Sequence, residues 1–247
     1  MSTAIISDFS FVIIVISLCS LVQSLFGVGI LLFGTPTFLF LGFSFEEALS
    51  FTLPSSLSIS ILQIFSNYDV ITDKKKSILI IMPSLFLGLL LLSYISKSNI
   101  IQLLVGVMLV FVAATRLSTY LNNAVTFFIK KYQNFTLVIT GFIHGFTNLG
   151  GGLLTFYSAS KYSDKKMITA NIAFIYAIFA VIQLIFLFFF SKINFHIVSI
   201  ILPIISGLIF IFSGKYLIEN IREKDYSKII TLIIFIYGLL SILGFFK

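Results

Sequence analysis

Long apolar stretches recur along the whole chain and constrain its fold more than any other feature. Most hold 17 to 24 residues, enough for a helix rising 1.5 Å per residue to cross a hydrocarbon core of about 30 Å. Only 10% of the 247 residues are charged and 59% are hydrophobic, whereas about a quarter of a soluble domain is charged. The sequence therefore predicts an all-α polytopic membrane protein with one integral domain, 1–247. The stretches cover 9–41, 48–66, 77–95, 99–115, 135–160, 167–190, 195–218 and 229–246.

Two of these stretches are interrupted. The stretch 9–41 is too long for one crossing and is broken at FGVG (26–29) and at Pro36. The stretch 135–160 is broken by three consecutive glycines, 150–152. We expect a change of chain direction at both places.

Each interrupted stretch opens a half of the chain in which similar features recur in the same order. SLFGVGILLFGTP (24–36) resembles NLGGGLLTFYSAS (148–160). Gln63 and Gln183 are 120 residues apart, and so are Pro83 and Pro203. Repeated spacing indicates an internal duplication. The predicted pseudo-repeats are 9–116 and 135–246, joined by a linker, 117–134.

The positions of Lys and Arg test the topology. Eight simple crossings would put eight of these residues on each side of the membrane, against the rule that they collect in cytoplasmic loops. If both interrupted stretches are re-entrant hairpins, 13 lie on one face and 3 on the other. Three crossings then follow each hairpin, so the halves are inverted, as in many transporters. We predict six full crossings, two hairpins and both termini outside.

The two breaks suit an anion. A broken helix leaves about four N–H groups unpaired at its new N-terminus, where the helix dipole is positive. In lipid such groups need a partner, and a buried helix N-terminus is a natural anion site. Glycine lets a ligand approach the backbone. The predicted substrate-binding residues are Gly27, Val28, Gly29, Thr35, His144, Asn148, Gly150, Gly151, Gly152 and Thr155, with the amides Gln63, Asn171 and Gln183.

Other interpretations of these residues stay open at this stage. Small residues also let membrane helices pack closely, and we favour packing for Gly141 and Gly145 but a ligand role for the triple glycine. His144 is an ionisable residue deep in an apolar stretch, which marks a functional candidate. It fits equally well as a neutral side chain bonded to a carbonyl. The two glutamines fit interhelical hydrogen bonds at least as well as a ligand.

Several classes of protein are excluded by what the sequence lacks. One Cys and two distant His residues do not make a metal site, and GGGLL is not followed by the Lys of a phosphate-binding loop. No acidic residue lies in an apolar stretch to complete a Ser–His–Asp site, so we predict no catalytic residue and no cofactor. The net charge of +7 is explained by cytoplasmic loops and indicates no nucleic acid. The start has no positive segment before its apolar run, so we expect a retained helix, and a homo-oligomer is compatible with these features.

The two glycine-broken halves resemble the sulfite exporter TauE/SafE family of membrane permeases. The stretches that carry the resemblance are QSLFGVGILLFGTPTFLFLGFSFEEAL (23–49) and GFIHGFTNLGGGLLTFYSASKYSDKKMITANIAF (141–174). The resemblance implies transport of sulfur-containing anions such as sulfite or organosulfonates.

Together these observations predict a permease in the cell's inner membrane that moves a small anion by alternating access. Its partners would be the anion and the lipid bilayer. A passive anion channel is the nearest rival hypothesis. Two further hypotheses are a membrane-embedded enzyme centred on His144 and a scaffold that transports nothing.

Overall fold

The computed structural model describes residues 2–94, 98–190, 197–214 and 223–245, and every regular element in these ranges is helical. The all-α prediction is therefore confirmed for this part of the chain. A π-helical turn, Ile30–Gly34, leads into α2, and another, Phe210–Gly214, continues α10. The helices are α1 (Ser2–Phe26), α2 (Thr35–Phe40), α3 (Phe45–Ser66), α4 (Lys74–Tyr94), α5 (Ser98–Leu117), α6 (Thr119–Lys131), α7 (Gln133–Thr147), α8 (Gly151–Lys161), α9 (Lys165–Phe190), α10 (Ile197–Ile209) and α11 (Glu223–Phe245).

The long helices expose apolar side chains, as helices in contact with lipid do. Phe188, Phe189 and Phe212 are all more than two thirds exposed. Four helices among the described residues are long and apolar enough to cross a membrane, and α5 with α6 would make a fifth span. Six full crossings therefore stay a prediction. The four spans are Phe9–Phe26, Phe45–Ser66, Lys74–Ser93 and Lys165–Phe190.

Local sequence explains where two of the helices begin. Ser44 and Glu47 form a capping box at the start of α3, in which each side chain accepts a hydrogen bond from the other residue's N–H. Pro36 lies in the first turn of α2, where proline is tolerated because its missing N–H would have no partner there. The prediction that Pro36 interrupts the first apolar stretch is therefore wrong, and the interruption lies at residues 27–29.

Glycines allow two pairs of helices to touch along their backbones. A Cβ on Gly141 would overlap the Ser84 hydroxyl, and one on Gly145 would overlap the Leu85 carbonyl oxygen, so α7 lies directly against α4. The packing interpretation of Gly141 and Gly145 is confirmed. In the same way α5 and α11 cross at Gly106 and Gly238, where a Cβ on Gly106 would lie 2.9 Å from the Gly238 carbonyl oxygen.

The predicted linker, 117–134, is mostly the helix α6. It is bent by 105° from α5, so the two helices do not form one straight span. Helix α6 contacts α8 as well as α5 and α7. The segment between the two predicted halves is thus an ordered part of the fold that packs on the second half.

Candidate functional site

The chain breaks at two places, and both breaks end a helix with a left-handed residue but continue differently: Gly29 has a φ of 176° and ψ of -65°, whereas Gly150 has a φ of -58° and ψ of -13°. At the first break (residues 27–29), Gly27 has a φ of 72° and its N–H donates to the Gln23 carbonyl at 2.8 Å. At the second break (residues 148–150), Asn148 has a φ of 62° and its N–H donates to the His144 carbonyl at 2.7 Å. Glycine and asparagine adopt this left-handed conformation most easily, so each ends its helix in the same way.

Two residues further on, each break packs back against the helix that has just ended. A Cβ on Gly29 would lie 2.9 Å from the Gln23 Cα, and one on Gly150 would lie 3.2 Å from the His144 Cα. Equivalent residues at the two breaks are 121 positions apart. This register differs by three residues from the one implied by the sequence resemblance, because glycines alone do not fix an alignment.

The first break is closed by the side chain of Gln23. Its Oε1 accepts a hydrogen bond from the Ile30 N–H at 3.2 Å. Its Nε2 donates to the Ser56 carbonyl at 3.0 Å and to the Ser56 Oγ at 2.9 Å. Gln23 is fully buried, so an N–H group at the start of the π-helical turn already has an acceptor supplied by the protein.

The second break is closed differently: the Thr147 Oγ1 accepts the Leu149 N–H at 3.2 Å, and the Gly152 N–H donates to the Leu149 carbonyl at 3.4 Å. The N-cap residue of helix α8 is Gly150, which has no side chain to cap the first N–H groups of the helix. His144, Tyr176 and Gln183 lie around this helix start, and we call them the second-break cluster. All three are fully buried, and their side-chain nitrogen and oxygen atoms have no hydrogen-bond partner in the part of the protein that the structure describes. Buried polar groups are nearly always paired, so these surroundings favour a ligand from outside the chain.

Contacts fix the cluster against the start of α8. A Cβ on Gly151 would overlap the Tyr176 hydroxyl, so this hydroxyl lies directly on the first residue of the helix. The His144 ring stacks on Phe179 with 3.8 Å between ring centroids and 14° between planes. Gln183 faces the imidazole without forming a hydrogen bond of normal geometry. His144 and Tyr176 therefore border the helix N-terminus, and Gln183 lies beside His144.

Each of the three glycines also has a packing role. Gly150 lies against α7, where a Cβ would approach the Thr140 carbonyl oxygen to 2.6 Å. Gly151 lies against Tyr176, and a Cβ on Gly152 would come within 2.5 Å of the Val112 side chain. Close packing therefore requires all three, and their contact with a ligand stays a prediction.

A hydrogen bond joins the second break to the start of α2, the helix that follows the first break. The Asn148 Nδ2 donates to the Thr35 Oγ1 at 2.7 Å, and both residues are fully buried. The Asn148 Oδ1 has no partner among the described residues. Two of the predicted site residues from opposite halves of the chain thus meet in the interior.

The remaining predicted residues lie at different distances from this meeting point. Val28 is buried within the first break, and the Thr155 hydroxyl donates to the Gly151 carbonyl one turn into α8. The Gln63 Nε2 donates to the Gln23 carbonyl at 3.3 Å, which ties α3 to the end of α1. Asn171 lies elsewhere, because its Oδ1 accepts the Thr72 N–H at 3.0 Å in the segment after α3.

Sequence reasoning missed Gln23 and Tyr176. Gln23 stands four residues before Gly27, as His144 stands four residues before Asn148, and this shared spacing is a signal that the sequence contains. Tyr176 is 120 residues after Ser56, the same interval that relates Gln63 to Gln183. The 121-residue interval between the breaks relates Gln23 to His144, and the 120-residue interval of the glutamines relates Ser56 to Tyr176.

The site is polar but carries no fixed charge. No Asp, Glu, Lys or Arg is buried among the residues whose side-chain exposure the structure describes. His144 therefore has no buried carboxylate beside it, and no three or more His, Cys, Asp and Glu side chains are grouped to hold a metal in those ranges. Such a site provides hydrogen-bond donors and a helix dipole, which bind an anion without a permanent countercharge.

A separate groove of about 250 Å³ opens beside the first break. Its walls are mostly apolar, and its two hydroxyls, on Thr37 and Tyr237, are hydrogen-bonded to each other at 3.3 Å. The groove therefore lacks the free donors found at the second break. It is lined by Val15, Leu18, Cys19, Val22, Phe33, Thr37 and Tyr237.

The far end of α8 is tied to the segment that follows α3. Lys161 forms an ion pair with Asp73 at 2.6 Å, and the hydroxyls of Thr72 and Tyr162 are hydrogen-bonded. The hydrogen bond from Lys161 and its positive charge lower the pKa of Asp73. Burial alone would lower the pKa of Lys161, but its hydrogen bonds to Asp73 and Tyr162 raise it overall. The segments 67–76 and 161–166 therefore lie at the same end of the molecule.

The comparisons with known proteins give one match. The family model described as Sulfite exporter TauE/SafE matches residues 12–241, nearly the whole chain. No curated protein and no solved structure matches. The matched range includes both breaks and the second-break cluster.

Proposed function

This chain belongs to the sulfite exporter TauE/SafE family, and we propose that it is a permease that carries a sulfur oxyanion or organosulfonate, such as sulfite, across the cell's inner membrane. A membrane transporter of sulfur anions follows from the family. The particular anion, the inner membrane as location and alternating access as mechanism are the proposal.

The uncapped start of α8 is the observation that carries this proposal. It is a helix N-terminus in the protein interior, bordered by the unpartnered hydroxyl of Tyr176. The N–H groups of such a helix start donate hydrogen bonds, as the Tyr176 hydroxyl does, and the oxygens of sulfite or of a sulfonate accept them. The hydrogen bond between Thr35 and Asn148 joins the start of α2 to the second break, which supports a site bordered by residues of both halves.

Contacts at the end of α8 support the re-entrant topology. Eight simple crossings would put the segments 67–76 and 161–166 on opposite faces of the membrane. The Lys161–Asp73 ion pair joins these segments directly, which supports a re-entrant hairpin over 135–160. Helices α7 and α8 have 15 and 11 residues, too short for each to cross a core of about 30 Å at 1.5 Å per residue.

The two halves support a mechanism in which they move relative to each other. In both halves a break is followed by a short helix and then three longer ones. Helix α3 packs on its counterpart α9, α5 on α11, and the breaks meet at the Thr35–Asn148 hydrogen bond. In the proposed mechanism, rocking of the halves exposes the anion to one side and then to the other.

The absence of buried charge among the described residues predicts which anions are preferred. The cost of taking an ion out of water rises steeply with its charge, and no buried Lys or Arg in those residues offsets it. We therefore expect singly charged anions, such as hydrogen sulfite and alkyl sulfonates, to bind better than sulfate.

The test is transport by the purified protein reconstituted into lipid vesicles. We expect saturable uptake of labelled sulfite, competition by a short alkyl sulfonate, and much weaker competition by sulfate. Vesicles preloaded with unlabelled sulfite should show counterflow, the transient accumulation of label that an alternating-access carrier gives. Uptake measured with and without a proton gradient identifies coupling to protons.

Three results would contradict the proposal. Flux that neither saturates nor shows counterflow would indicate a passive channel instead. Chemical conversion of the anion by the protein, lost in a His144→Ala variant, would indicate an enzyme. Vesicles that move none of these anions, although the protein is folded and inserted, would remove the proposed function.

A further inference from the structure

Both breaks end a helix with a left-handed residue, but only beside the second do buried side-chain donors lack an acceptor among the described residues. Resting on the proposed function, we infer that the anion binds at the second break alone, because Gln23 supplies at the first break the acceptor oxygen that the anion supplies at the second. Gln23 thus excludes the anion from the first break. The residue at the equivalent position 144 decides whether an anion can bind at the second break.

Gln23 fills its place completely. Its Oε1 accepts the Ile30 N–H, while its Nε2 is held by the carbonyl and hydroxyl of Ser56. Both ends of the amide are therefore used within the protein. An anion at this position would have to displace a fully buried side chain with three hydrogen bonds, each worth about 1 kcal/mol.

The equivalent positions in the second half are occupied by different chemistry. His144 replaces Gln23, Gly151 replaces Ile30 and Tyr176 replaces Ser56. Neither imidazole nitrogen reaches a partner in the described structure, and the Tyr176 hydroxyl is also unpartnered. The helix start that Gln23 would cap is therefore uncapped, with a further free donor beside it.

Both helix starts are buried, but different groups lie beside their backbones. Ile30 is fully buried and its N–H already donates to Gln23. Gly151 has no side chain, and the Tyr176 hydroxyl lies where a Cβ would be. An oxyanion oxygen at the second break can accept hydrogen bonds from the backbone and from Tyr176 together.

The decisive variant is His144→Gln, which places the capping side chain of the first break at the second. Gln23 reaches the N–H seven residues ahead in the first half, so we expect the new glutamine to cap the Gly151 N–H in the variant. Labelled sulfite binding to the purified protein should weaken about tenfold or more, equivalent to about 1.4 kcal/mol. His144→Asn is the matched control, because its amide is one methylene too short to reach, and it should bind clearly better than His144→Gln.

Thermal unfolding in detergent separates capping from damage. We expect His144→Gln to unfold at a temperature no lower than His144→Asn, because the new amide satisfies a buried N–H. In the first half, Gln23→Leu should lower the unfolding temperature and leave the affinity of the folded protein for sulfite within about twofold. That variant tests whether the first break takes part in binding.

Distinct results would overturn the inference and the proposed function. Equal sulfite affinity in His144→Gln and His144→Asn, or loss of binding in a folded Gln23→Leu variant, would overturn the inference while sulfite transport by the wild-type protein stood. A wild-type protein that neither binds nor moves any of the anions would overturn the proposed function and the inference with it.

Discussion

The first and second breaks begin alike and then differ. Gly27 and Asn148 end their helices in the same left-handed conformation, and Gly29 and Gly150 pack back against those helices, although Gly29 and Gly150 have different φ and ψ angles. The Ile30 N–H of the first break donates to Gln23, whereas the start of α8 at the second break is bordered by unpartnered polar side chains. Similar helix ends therefore have different polar surroundings in the two places.

The difference shows which parts of each break serve the fold and which can serve a ligand. A broken helix inside a membrane protein must satisfy its freed N–H groups or leave them to a ligand or to water. At the first break, a buried glutamine held by three hydrogen bonds accepts a hydrogen bond from a freed N–H group. At the second break, buried polar groups have no partner within the described protein, which lowers the stability of the fold unless a ligand binds there. Variants at equivalent positions of the two breaks test this contrast.

The largest effect is expected for Gly151→Ala. A Cβ at this position would overlap the Tyr176 hydroxyl, whereas the equivalent residue of the first break, Ile30, already carries a full side chain. Overpacking of this kind costs about 1 to 3 kcal/mol, so folded protein and transport should both fall sharply. Yield of monodisperse protein and its unfolding temperature measure the loss.

Two further variants make this prediction specific. Gly34→Ala, near the first break, has the Thr52 methyl group as its nearest neighbour at 3.1 Å and should be much milder. Adding Tyr176→Phe to Gly151→Ala removes the overlapping hydroxyl and should restore part of the stability. Equal damage in Gly34→Ala and Gly151→Ala would indicate that both breaks are packed alike.

The next effect separates binding from stability at equivalent positions. Tyr176→Phe removes a hydroxyl that has no partner in the described structure, so stability should hold while sulfite affinity falls about tenfold, or about 1.4 kcal/mol. Ser56→Ala removes a hydroxyl bonded to Gln23, so stability should fall by about 1 kcal/mol with little change in affinity. Binding curves and unfolding temperatures are measured on both variants. A stability loss in Tyr176→Phe together with an affinity loss in Ser56→Ala would contradict the prediction.

The sequence contained the location of both breaks and the all-helical class. Glycine tracts within apolar stretches identify the breaks because few other residues tolerate such turns, and Asn148 adds a second residue type that adopts a positive φ. The sequence did not identify Gln23 as a cap or Tyr176 as a neighbour of Gly151. Those contacts depend on how α3 and α9 pack beside the breaks, and on a register that the glycines leave undetermined.

Loop charge and helix length bear differently on the predicted topology. Helix α1 contains an 18-residue apolar span, Phe9–Phe26, which is itself long enough to cross a membrane. Length alone therefore does not distinguish a hairpin from a crossing in the first half. The shorter α7 and α8 favour a hairpin in the second half, where the Lys161–Asp73 contact also agrees with the loop charges.

A moderate effect is expected where the two breaks meet. Asn148→Gly keeps a residue that adopts positive φ, as Gly27 does in the first break, but removes the hydrogen bond to Thr35. We expect it to cost about 0.5 to 1.5 kcal/mol of stability. Asn148→Ala should cost more, because alanine is also strained in the left-handed conformation. Unfolding temperatures in the order wild type, glycine, alanine would support this, and equal values for the two variants would contradict it.

The smallest effect is expected at the far end of α8, away from the second break. Asp73 is about half exposed, so solvent and salt weaken its pairing with Lys161, and such pairs contribute about 0 to 1 kcal/mol. Because pairing lowers the Asp73 pKa, this contribution is present above the ordinary carboxyl pKa and is lost as pH falls through the lowered value.

We expect Asp73→Asn and Lys161→Met to change the rate of sulfite transport more than the affinity for sulfite, since the ion pair holds the far end of α8 and not its start. If the ion pair opens when the halves move, the change in transport rate should be smaller in high salt. A double-mutant cycle measured in high salt should then show no coupling between Asp73 and Lys161. Lys166→Met, an exposed lysine in the next segment, is the matched control. A large loss of sulfite affinity in Asp73→Asn would contradict this prediction. It would mean that the ion pair at the far end of α8 affects binding at the start of the helix.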